Sequence, residues 1–380
     1  MTSSKIIPFN KPYLTGKETS YIEEAAKNGK LSGDGLFTKR CQTYFEERFG
    51  FRKVFLTTSC TDALEMAAIL LNIEQGDEII VPSYTFVSTA NAFILRGATI
   101  VFADSQQNHP GTDEDLLETL VTPRTKAIVV VHYAGIACDM NKIKAIADKH
   151  NLIIIEDAAQ AIDSYYEGKP LGSIGHLAAF SFHETKNIIS GEGGMLTIND
   201  EQFIQRAEII REKGTNRNKF FRGEVDKYNW VDIGSSFLPS EITAAFLFAQ
   251  LEQIEVIQQK RLLLWHTYYK ELEILTDYGI ILPNIPEFAS NNAHAFYIIC
   301  KNIEQRDAFI EHMKLGNVHT VFHYLSLHAS PYFKDKHDGR TLTNADKFSD
   351  CLVRLPMFYE LNTDDITNKI APLAKSFFMK

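Results

Sequence analysis

The sequence lacks several features that mark whole classes of proteins. It has no uninterrupted apolar stretch long enough to span a bilayer, and its start, MTSSKIIPFNKP, lacks the apolar core of a signal peptide. It also lacks an excess of basic residues: the formal net charge is −9, which argues against a nucleic-acid-binding surface. We therefore expect neither a membrane nor a nucleic acid among the partners of this protein.

Cysteine is scarce as well. The chain of 380 residues has five, odd in number and without C-x-x-C spacing: Cys41, Cys60, Cys138, Cys300 and Cys351. This arrangement argues against a disulfide framework and a zinc site, and it is typical of reduced thiols in the cytoplasm. The hydrophobic content of 45% and the charged content of 23% are ordinary for a globular protein. Together these features predict a cytoplasmic enzyme without a metal site.

Short apolar strand patterns alternate with helix patterns from Lys53 to Ile198. This βαβ order predicts an α/β fold with a mainly parallel central sheet covered on both faces. A polar loop from Gly214 to Pro239 interrupts the pattern, and Ser240 to about Leu275 reads as one long helix.

The length of the chain allows two hydrophobic cores. We predict a large domain over residues 1–250 and a small C-terminal α/β domain over residues 251–380. The small domain begins with a strand–helix–strand pattern over residues 294–324, and the N-terminal segment can pack on it.

Two strand ends carry residues suited to chemistry. Lys186 follows a buried strand pattern, Ala178 to Phe182, and Asp157 closes the apolar run NLIIIED. Partial burial of a lysine disfavours its charged form, so the amine becomes a nucleophile suited to forming a Schiff base. A carboxylate at a neighbouring strand end can keep a pyridine nitrogen protonated. Taken alone Lys186 would be a solvated surface lysine, but together with Asp157 it indicates a pyridoxal 5′-phosphate (PLP) site.

A third stretch predicts a place for the phosphate of such a cofactor. Ser59 and Asp62 have the spacing of a capping box, which predicts a helix start immediately after a short strand. The free N–H groups at a helix N-terminus bind phosphate, so a structural and a functional role can coincide here.

Several motifs together resemble the DegT/DnrJ/EryC1/StrS sugar aminotransferases, which are PLP enzymes of fold type I, the fold of aspartate aminotransferase. The motifs are SFHETKN with GEGG, EDAAQA, SYTFVSTANA and SCTDALEMAA, with HYLSLH and RLPMF near the C-terminus. Two further stretches, REKGTNRNKFFRG and VHYAG, narrow the resemblance to members of the family that aminate a 4-keto-sugar nucleotide. It implies transfer of an amino group from L-glutamate to C4 of dTDP-4-keto-6-deoxy-D-glucose, giving dTDP-4-amino-4,6-dideoxy-D-galactose, by a homodimer with shared active sites.

The resemblance also implies roles for single residues. Lys186 would hold the cofactor, Asp157 would pair with the ring nitrogen, and Gln160 would lie beside the ring. The remaining cofactor contacts it implies are Phe86 over the ring and, at the phosphate, Ser181, the Cys60–Thr61 backbone and Ser236 or Ser235 of the partner subunit, where the family commonly has asparagine. Phe86 also reads as a core residue of a buried helix.

Two histidines and a basic segment are the candidates for contacts with the substrate. His183 and His323 lie inside motifs, whereas His132, at a strand end, reads as structural. A nucleotide diphosphate needs cations in an otherwise acidic protein, and arginine suits phosphate because it donates paired hydrogen bonds. The segment from Arg211 to Arg222 offers them: Arg211 reads as a solvated helix residue, and Arg217, Lys219 and Arg222 read as phosphate ligands.

Other functions remain open from the sequence. A transaminase for another keto-sugar, with the keto group at C3 or different stereochemistry, shares these motifs. A PLP-dependent sugar dehydratase is less favoured because related dehydratases carry histidine where this chain has Lys186. A non-catalytic PLP-binding regulator is disfavoured because the lysine, aspartate and glutamine are all present. A nicotinamide dehydrogenase is weaker still, since GEGG is not G-x-G-x-x-G.

Overall fold

The computed structural model describes residues 6–379. In this part of the chain the strands are β1 (Lys53–Thr57), β2 (Glu78–Pro82), β3 (Thr99–Ala103), β4 (Thr125–Val131), β5 (Ile153–Asp157), β6 (Tyr165–Tyr166), β7 (Lys169–Pro170), β8 (Leu177–Ser181), β9 (Gly194–Ile198), β10 (Tyr297–Ile299), β11 (Val321–Phe322) and β12 (Leu352–Arg354).

The α-helices of the same residues follow the strands in alternation through the first half of the chain. They are α1 (Glu18–Lys27), α2 (Leu36–Phe49), α3 (Cys60–Leu70), α4 (Ser88–Ile94), α5 (Glu114–Leu117), α6 (Met140–His150), α7 (Ile204–Arg211), α8 (Arg217–Phe221), α9 (Glu241–Leu251), α10 (Ile254–Leu272), α11 (Ile303–Leu315), α12 (Thr343–Cys351), α13 (Thr363–Asp365) and α14 (Ala371–Phe378). None of the helices within residues 6–379 combines the length and apolar character needed to cross a membrane.

Seven strands form the central sheet in the order β1-β9-β8-β5-β4-β2-β3. The pairs from β8 to β3 are parallel, and β9 runs antiparallel between β1 and β8. Strands β2 and β9 are buried along their whole length, as continuous apolar runs in a sheet covered on both faces should be. The predicted α/β fold with a mainly parallel sheet is confirmed.

Alternate side chains of the strands enter two separate cores. In β2, Ile79 and Val81 join a cluster with α3 and α4, whereas Ile80 joins a cluster with α2, α6 and α9. This two-residue alternation places helices on both faces of the sheet and leaves the ends of the strands as the place for polar side chains.

The C-terminal part has a small antiparallel sheet in the order β10-β12-β11, packed with α10, α11 and α14 around a third core. The sequence pattern missed β12, the central strand, because it directly follows α12 and is three residues long. Ile7 lies in the same core and exchanges backbone hydrogen bonds with Asn317 and His319 at 2.9 and 3.0 Å. The N-terminal segment therefore packs on the C-terminal part, while the domain boundary at residue 250 stays a prediction.

The long helix expected from Ser240 to Leu275 is two helices. α9 ends at Leu251, α10 begins at Ile254, and Gln253 between them has non-helical backbone angles. The break has a packing reason, since α9 belongs to the second core and the later turns of α10 belong to the third.

A glycine turn anchors the start of α9 to the start of α2. The Glu241 carboxylate accepts hydrogen bonds from the N–H groups of Gly35, Phe37 and Thr38 at 2.9, 2.8 and 3.2 Å. A Cβ atom at Gly35 would lie 2.5 Å from the carboxyl carbon of Glu241, so only glycine permits this approach. The turn fixes one end of the segment that connects α8 to α9.

Candidate active site

A cavity of about 750 Å³ opens at the carboxyl ends of the central strands. Val131, Asp157 and Ser181 line it from the ends of β4, β5 and β8, and the first residues of α3 line it from beside β1. The C-terminal part closes the opposite side through residues 322–325, Leu327, His294 and Arg354. This is the edge at which open α/β sheets place their ligands.

Lys186 lies on the turn after β8, where its backbone N–H donates to the carbonyl of His183 at 2.9 Å. Burial lowers the pKa of its ammonium, and the positive charge of Arg354 lowers it further, against the opposing effects of Cys60 and Asp157. Its Nζ makes no hydrogen bond or ion pair with any residue of the described chain. The amine is thus free to act as a nucleophile toward a carbonyl carbon in the cavity.

Asp157, the last residue of β5, is held by two donors. Its Oδ2 accepts from the Thr89 hydroxyl at 2.7 Å and its Oδ1 accepts from the Ala159 N–H at 3.2 Å. Burial raises the pKa of this carboxyl, while those two hydrogen bonds and the charges of Lys186 and His132 act in the opposite direction. A carboxylate that is costly to bury alone is well suited to pair with a cationic ring nitrogen.

Gln160 lies three residues beyond Asp157, on the turn that follows β5, and both ends of its amide are hydrogen-bonded. Its Oε1 accepts from the Ala134 N–H at 2.7 Å, and its Nε2 donates to the Tyr324 hydroxyl at 3.0 Å. The side chain therefore ties the loop after β4 to the C-terminal wall and presents a fixed amide edge to the cavity.

The N-terminus of α3 forms a cradle for an anion. The Ser59 hydroxyl accepts from the Asp62 N–H at 3.0 Å, so the predicted cap is present, and the Thr61 hydroxyl donates to Ser88 at 2.8 Å. The first N–H groups of a helix have no partner within it. A Cβ atom at Gly194 would lie 2.4 Å from the Cys60 nitrogen, so glycine is required where β9 passes the cradle.

The charges that line the cavity also favour an anion. Lys186 and Arg354 are cationic, while the carboxylates are Asp157, which is buried, and Glu192, which is on the exposed rim. Arg354 is buried and forms no ion pair with a carboxylate of the described residues, and such a cation is stabilised by an anionic ligand. The cradle, the free amine and the strand-end carboxylate thus fit the phosphate, the aldehyde and the ring nitrogen of PLP.

Arg354 and His323 form a pair on the C-terminal wall. Arg354 Nη1 donates to His323 Nε2 at 3.2 Å, and because arginine has donors alone, His323 must carry its proton on Nδ1, which lies 3.0 Å from the Tyr133 hydroxyl. Burial and then the charges of Arg354 and Lys186 hold the pKa of His323 well below its usual range. Arg354 Nε has no hydrogen-bond partner among the described residues and is buried.

Most of the predicted site residues meet in this cavity. Those that line it are Cys60, Thr61, Phe86, Asp157, Gln160, Ser181, His183, Lys186 and His323. Phe86 precedes α4, which begins at Ser88, and it is 55% exposed. Its reading as a core residue of a buried helix is therefore wrong, whereas its place over the cofactor ring stays a prediction.

The histidines His132 and His183 lie in different environments, and that of His132 agrees with the role expected for it. His132 is completely buried and pairs with Glu156 at 3.0 Å, away from the cavity lining, which agrees with a structural role. His183 lies at the rim, where its Nδ1 is 2.9 Å from the Thr185 hydroxyl and its Nε2 is 3.7 Å from Glu192.

The basic segment does not line the cavity of its own chain. Arg217, Lys219, Arg222 and Ser236 all lie elsewhere, and Arg222 is paired with Glu208 at 3.1 Å and Glu224 at 2.5 Å. The expected uninterrupted loop contains α8, and the prediction that Arg211 is solvated is wrong. Arg211 is buried because its guanidinium pairs with Asp34 at 2.6 Å and lies over the Phe55 ring.

The sequence reasoning missed two charged or titratable residues of the cavity lining, His294 and Arg354, and it missed Thr89, which holds Asp157 from outside the lining. Arg354 opens the RLPMF motif, but β12 is too short to show a strand pattern, so nothing in the sequence directed this side chain inward. Thr89 and His294 each stand alone without a spacing that signals chemistry.

Comparison with known proteins was made for the whole chain. Residues 12–373 match the model of the DegT/DnrJ/EryC1/StrS aminotransferase family. A protein of Methanocaldococcus jannaschii, MJ1066, is 30% identical over 384 aligned residues, which cover 99% of this chain and 98% of that protein.

Solved structures are similar over almost the same extent. DesV from S. venezuelae, solved in complex with a ketimine intermediate, is 28% identical with a TM-score of 0.89, covering 98% of this chain and 99% of that one. Spr1654 from Streptococcus pneumoniae, assigned as a sugar aminotransferase and solved in a PLP form, is 25% identical with a TM-score of 0.88, covering 98% and 100%.

Proposed function

The chain belongs to the DegT/DnrJ/EryC1/StrS aminotransferase family, and from that premise we propose that it transfers the amino group of L-glutamate to C4 of dTDP-4-keto-6-deoxy-D-glucose. The product of this reaction is dTDP-4-amino-4,6-dideoxy-D-galactose. As a member of the family the protein is a PLP-dependent sugar aminotransferase of fold type I. The choice of sugar, of position C4 and of glutamate is our proposal.

The observation that carries the proposal is the meeting of Lys186, Asp157 and Arg354 in one cavity. Transamination needs an amine that can hold a carbonyl and then move a proton, an acid beside the ring nitrogen, and a cation for the carboxylate of the amino donor. Each requirement is met by one of the three residues.

Bound PLP supplies an electron sink for the carbon that carries the transferred nitrogen. Lys186 would hold its aldehyde carbon, Asp157 would face the ring nitrogen, and Gln160 would lie beside the ring. The α3 N-terminus at Cys60–Thr61 and the Ser181 hydroxyl would hold the phosphate.

The work of the chain's own groups follows from their chemistry. Arg354 has a buried Nε–H without a hydrogen-bond partner among the described residues, and it binds the α-carboxylate of glutamate. Lys186 Nζ, whose pKa is lowered, then takes the proton from Cα of glutamate and, in the second half-reaction, delivers a proton to C4 of the sugar. Asp157 keeps the ring nitrogen protonated throughout.

The assembly we propose is a homodimer in which each subunit completes the other's site. The segment after α7 exposes large apolar side chains, including Phe221 at 67% and Trp230 at 82%, next to Tyr228, Val231 and Ile233. Exposed large apolar side chains in this number support an interface at this segment. Its cations and Ser236 would then reach the cavity of the partner, where the nucleotide diphosphate needs positive charge.

The cytoplasm is the compartment that we propose for this reaction. All five cysteines are free thiols, and four of them are buried. Unpaired cysteines in this number are ordinary in a reducing compartment.

The deciding experiment uses the purified enzyme loaded with PLP. Glutamate alone should remove the visible absorbance of the bound cofactor, and addition of the keto-sugar nucleotide should restore it while an amino-sugar nucleotide forms. NMR of the product then gives the aminated carbon and its stereochemistry. Amination at C3 would contradict the choice of sugar, and loss of a sugar hydroxyl without amination would indicate a dehydratase.

A further inference from the structure

His294 is a buried histidine in the cavity wall to which no role has been given. It is 3% exposed, lines the cavity with Lys186 and Arg354, and lies just before β10. Its Nδ1 is 3.0 Å from Oδ1 of Asn187, the residue that follows Lys186.

The hydrogen bonds around Asn187 determine which nitrogen of His294 carries the proton. Asn187 Nδ2 donates to Gln258 Oε1 at 2.9 Å and to the carbonyl of Asn292 at 2.8 Å, so the amide cannot be flipped without losing both bonds. Its Oδ1 must therefore accept from His294, which places the proton of the imidazole on Nδ1.

The other nitrogen of His294 is then a hydrogen-bond acceptor. Burial holds the pKa of His294 well below its usual range, and the charges of Arg354, Lys186 and Arg261 and the neighbouring His323 lower it further. The ring stays neutral, so Nε2 keeps its lone pair. Within residues 6–379 Nε2 has no hydrogen-bond partner.

The two substrates differ in what they can offer to such an acceptor. Apart from its reacting amine, glutamate presents carboxylates, which only accept. A sugar ring presents hydroxyl groups, which donate. Resting on the proposed function for the substrate class, we propose that His294 Nε2 accepts a hydrogen bond from a ring hydroxyl of the keto-sugar and so serves the second half-reaction alone.

Two substitutions distinguish a hydrogen bond between His294 Nε2 and the sugar from a purely structural role in which His294 holds Asn187. His294→Asn keeps a donor near the position of Nδ1 but has no atom at the position of Nε2, whereas His294→Gln keeps an acceptor there. For the PLP-loaded enzyme we expect His294→Asn to bind the amino-sugar nucleotide about tenfold more weakly by calorimetry, and His294→Gln less than about threefold. The rate at which glutamate removes the cofactor absorbance should not change. The exposed His319, substituted by Asn, is the matched control.

A measurement on the unaltered enzyme makes the test independent of folding of the variants. The product has hydroxyl groups at C2 and C3, and one of the two monodeoxy analogues should bind about tenfold more weakly than the product. That difference should vanish in His294→Asn. Equal binding of both analogues by the unaltered enzyme, or unchanged sugar binding by His294→Asn, overturns the proposal for His294 while leaving the transaminase assignment in place. If the unaltered enzyme fails to react with glutamate, the proposed function itself fails and the role of His294 falls with it.

Discussion

The strand-end wall of the cavity, which includes Asp157 and Ser181 at the ends of β5 and β8, differs from the segment between α7 and α9 in the way its polar side chains are held. On the wall, Asp157 is held by Thr89 and Ala159, and Gln160 is held by Ala134 and Tyr324. In the segment, Trp230 and Phe221 face outward, and Arg222 is neutralised by two glutamates of its own chain. One chain thus builds the wall proposed to hold the cofactor, while the half of the site proposed for the nucleotide depends on what the exposed segment contacts in a second subunit.

Loss of Lys186 should have the largest effect, because it removes both the proposed covalent anchor of the cofactor and the proposed proton carrier. We expect Lys186→Ala to lower turnover by about 10⁴-fold or more in a coupled assay for 2-oxoglutarate. The fold should persist, since Nζ makes no hydrogen bond or ion pair within the described chain. A turnover near that of the unaltered enzyme would show that the wall is not the reaction centre.

Asp157→Asn, on the same wall, should lower turnover less than Lys186→Ala does. An amide keeps the hydrogen bond from Thr89 but cannot keep the ring nitrogen protonated, so turnover should fall by about 10²- to 10³-fold in the same assay. Asp163→Asn is the matched control, because Asp163 lies six residues on and pairs with Tyr165 outside the cavity. Equal losses in both variants would point to a structural cause.

The wall was predictable and the segment was not, for a physical reason. Parallel strands bring their carboxyl ends to one edge, so the strand patterns before Asp157, Ser181 and Lys186 were enough to bring these residues together. Arg354 and His294 were missed because they enter the cavity from a short strand and a loop whose positions depend on tertiary packing. Neither leaves a periodic signal.

The contacts of the segment between α7 and α9 could not be predicted from the sequence, for a different reason. The sequence shows a run of cations but not which carboxylates lie beside them in the folded chain. Glu208 on α7 forms an ion pair with Arg222. Phe86 shows a related limit: the helix that was predicted to contain it begins at Ser88, so the Phe86 ring lines the cavity and does not lie in a core.

The cations of the segment should have intermediate effects that differ among themselves. Lys219 has no ion pair within the described residues, so Lys219→Ala should raise KM for the sugar nucleotide about tenfold. Arg222→Ala should raise it less than about threefold, because Glu208 and Glu224 already hold the guanidinium. The glutamate half-reaction, followed by the cofactor absorbance, should be unchanged in both.

KM for the sugar nucleotide should therefore rise more in Lys219→Ala than in Arg222→Ala. Arg217 lies over the Phe221 ring at 5.2 Å and is expected to resemble Lys219. Equal damage to the sugar and glutamate half-reactions would show that the segment supports the fold and does not contact the nucleotide.

Phe9 connects the wall to the C-terminal part and should give the smallest effect. The Arg354 guanidinium lies 5.1 Å from the Phe9 ring, the Phe9 carbonyl accepts from the Met357 N–H at 3.3 Å, and Asn10 Nδ2 donates to the Glu184 carbonyl at 3.3 Å. The N-terminal segment thereby touches both the arginine proposed for the donor carboxylate and the turn that carries Lys186.

Phe9→Leu keeps the apolar volume but removes the aromatic face that holds the guanidinium. A cation–π contact contributes about 0.5–1 kcal/mol at accessible sites, so KM for glutamate should rise about two- to fivefold, with little change in kcat or in KM for the sugar nucleotide. Steady-state kinetics with each substrate varied in turn measures the split. Ile6→Ala is the control, because Ile6 is exposed and lies outside the cavity lining. If KM for the sugar nucleotide rises instead, Arg354 binds the sugar nucleotide and not glutamate, and the roles proposed for Arg354 and His294 are reversed.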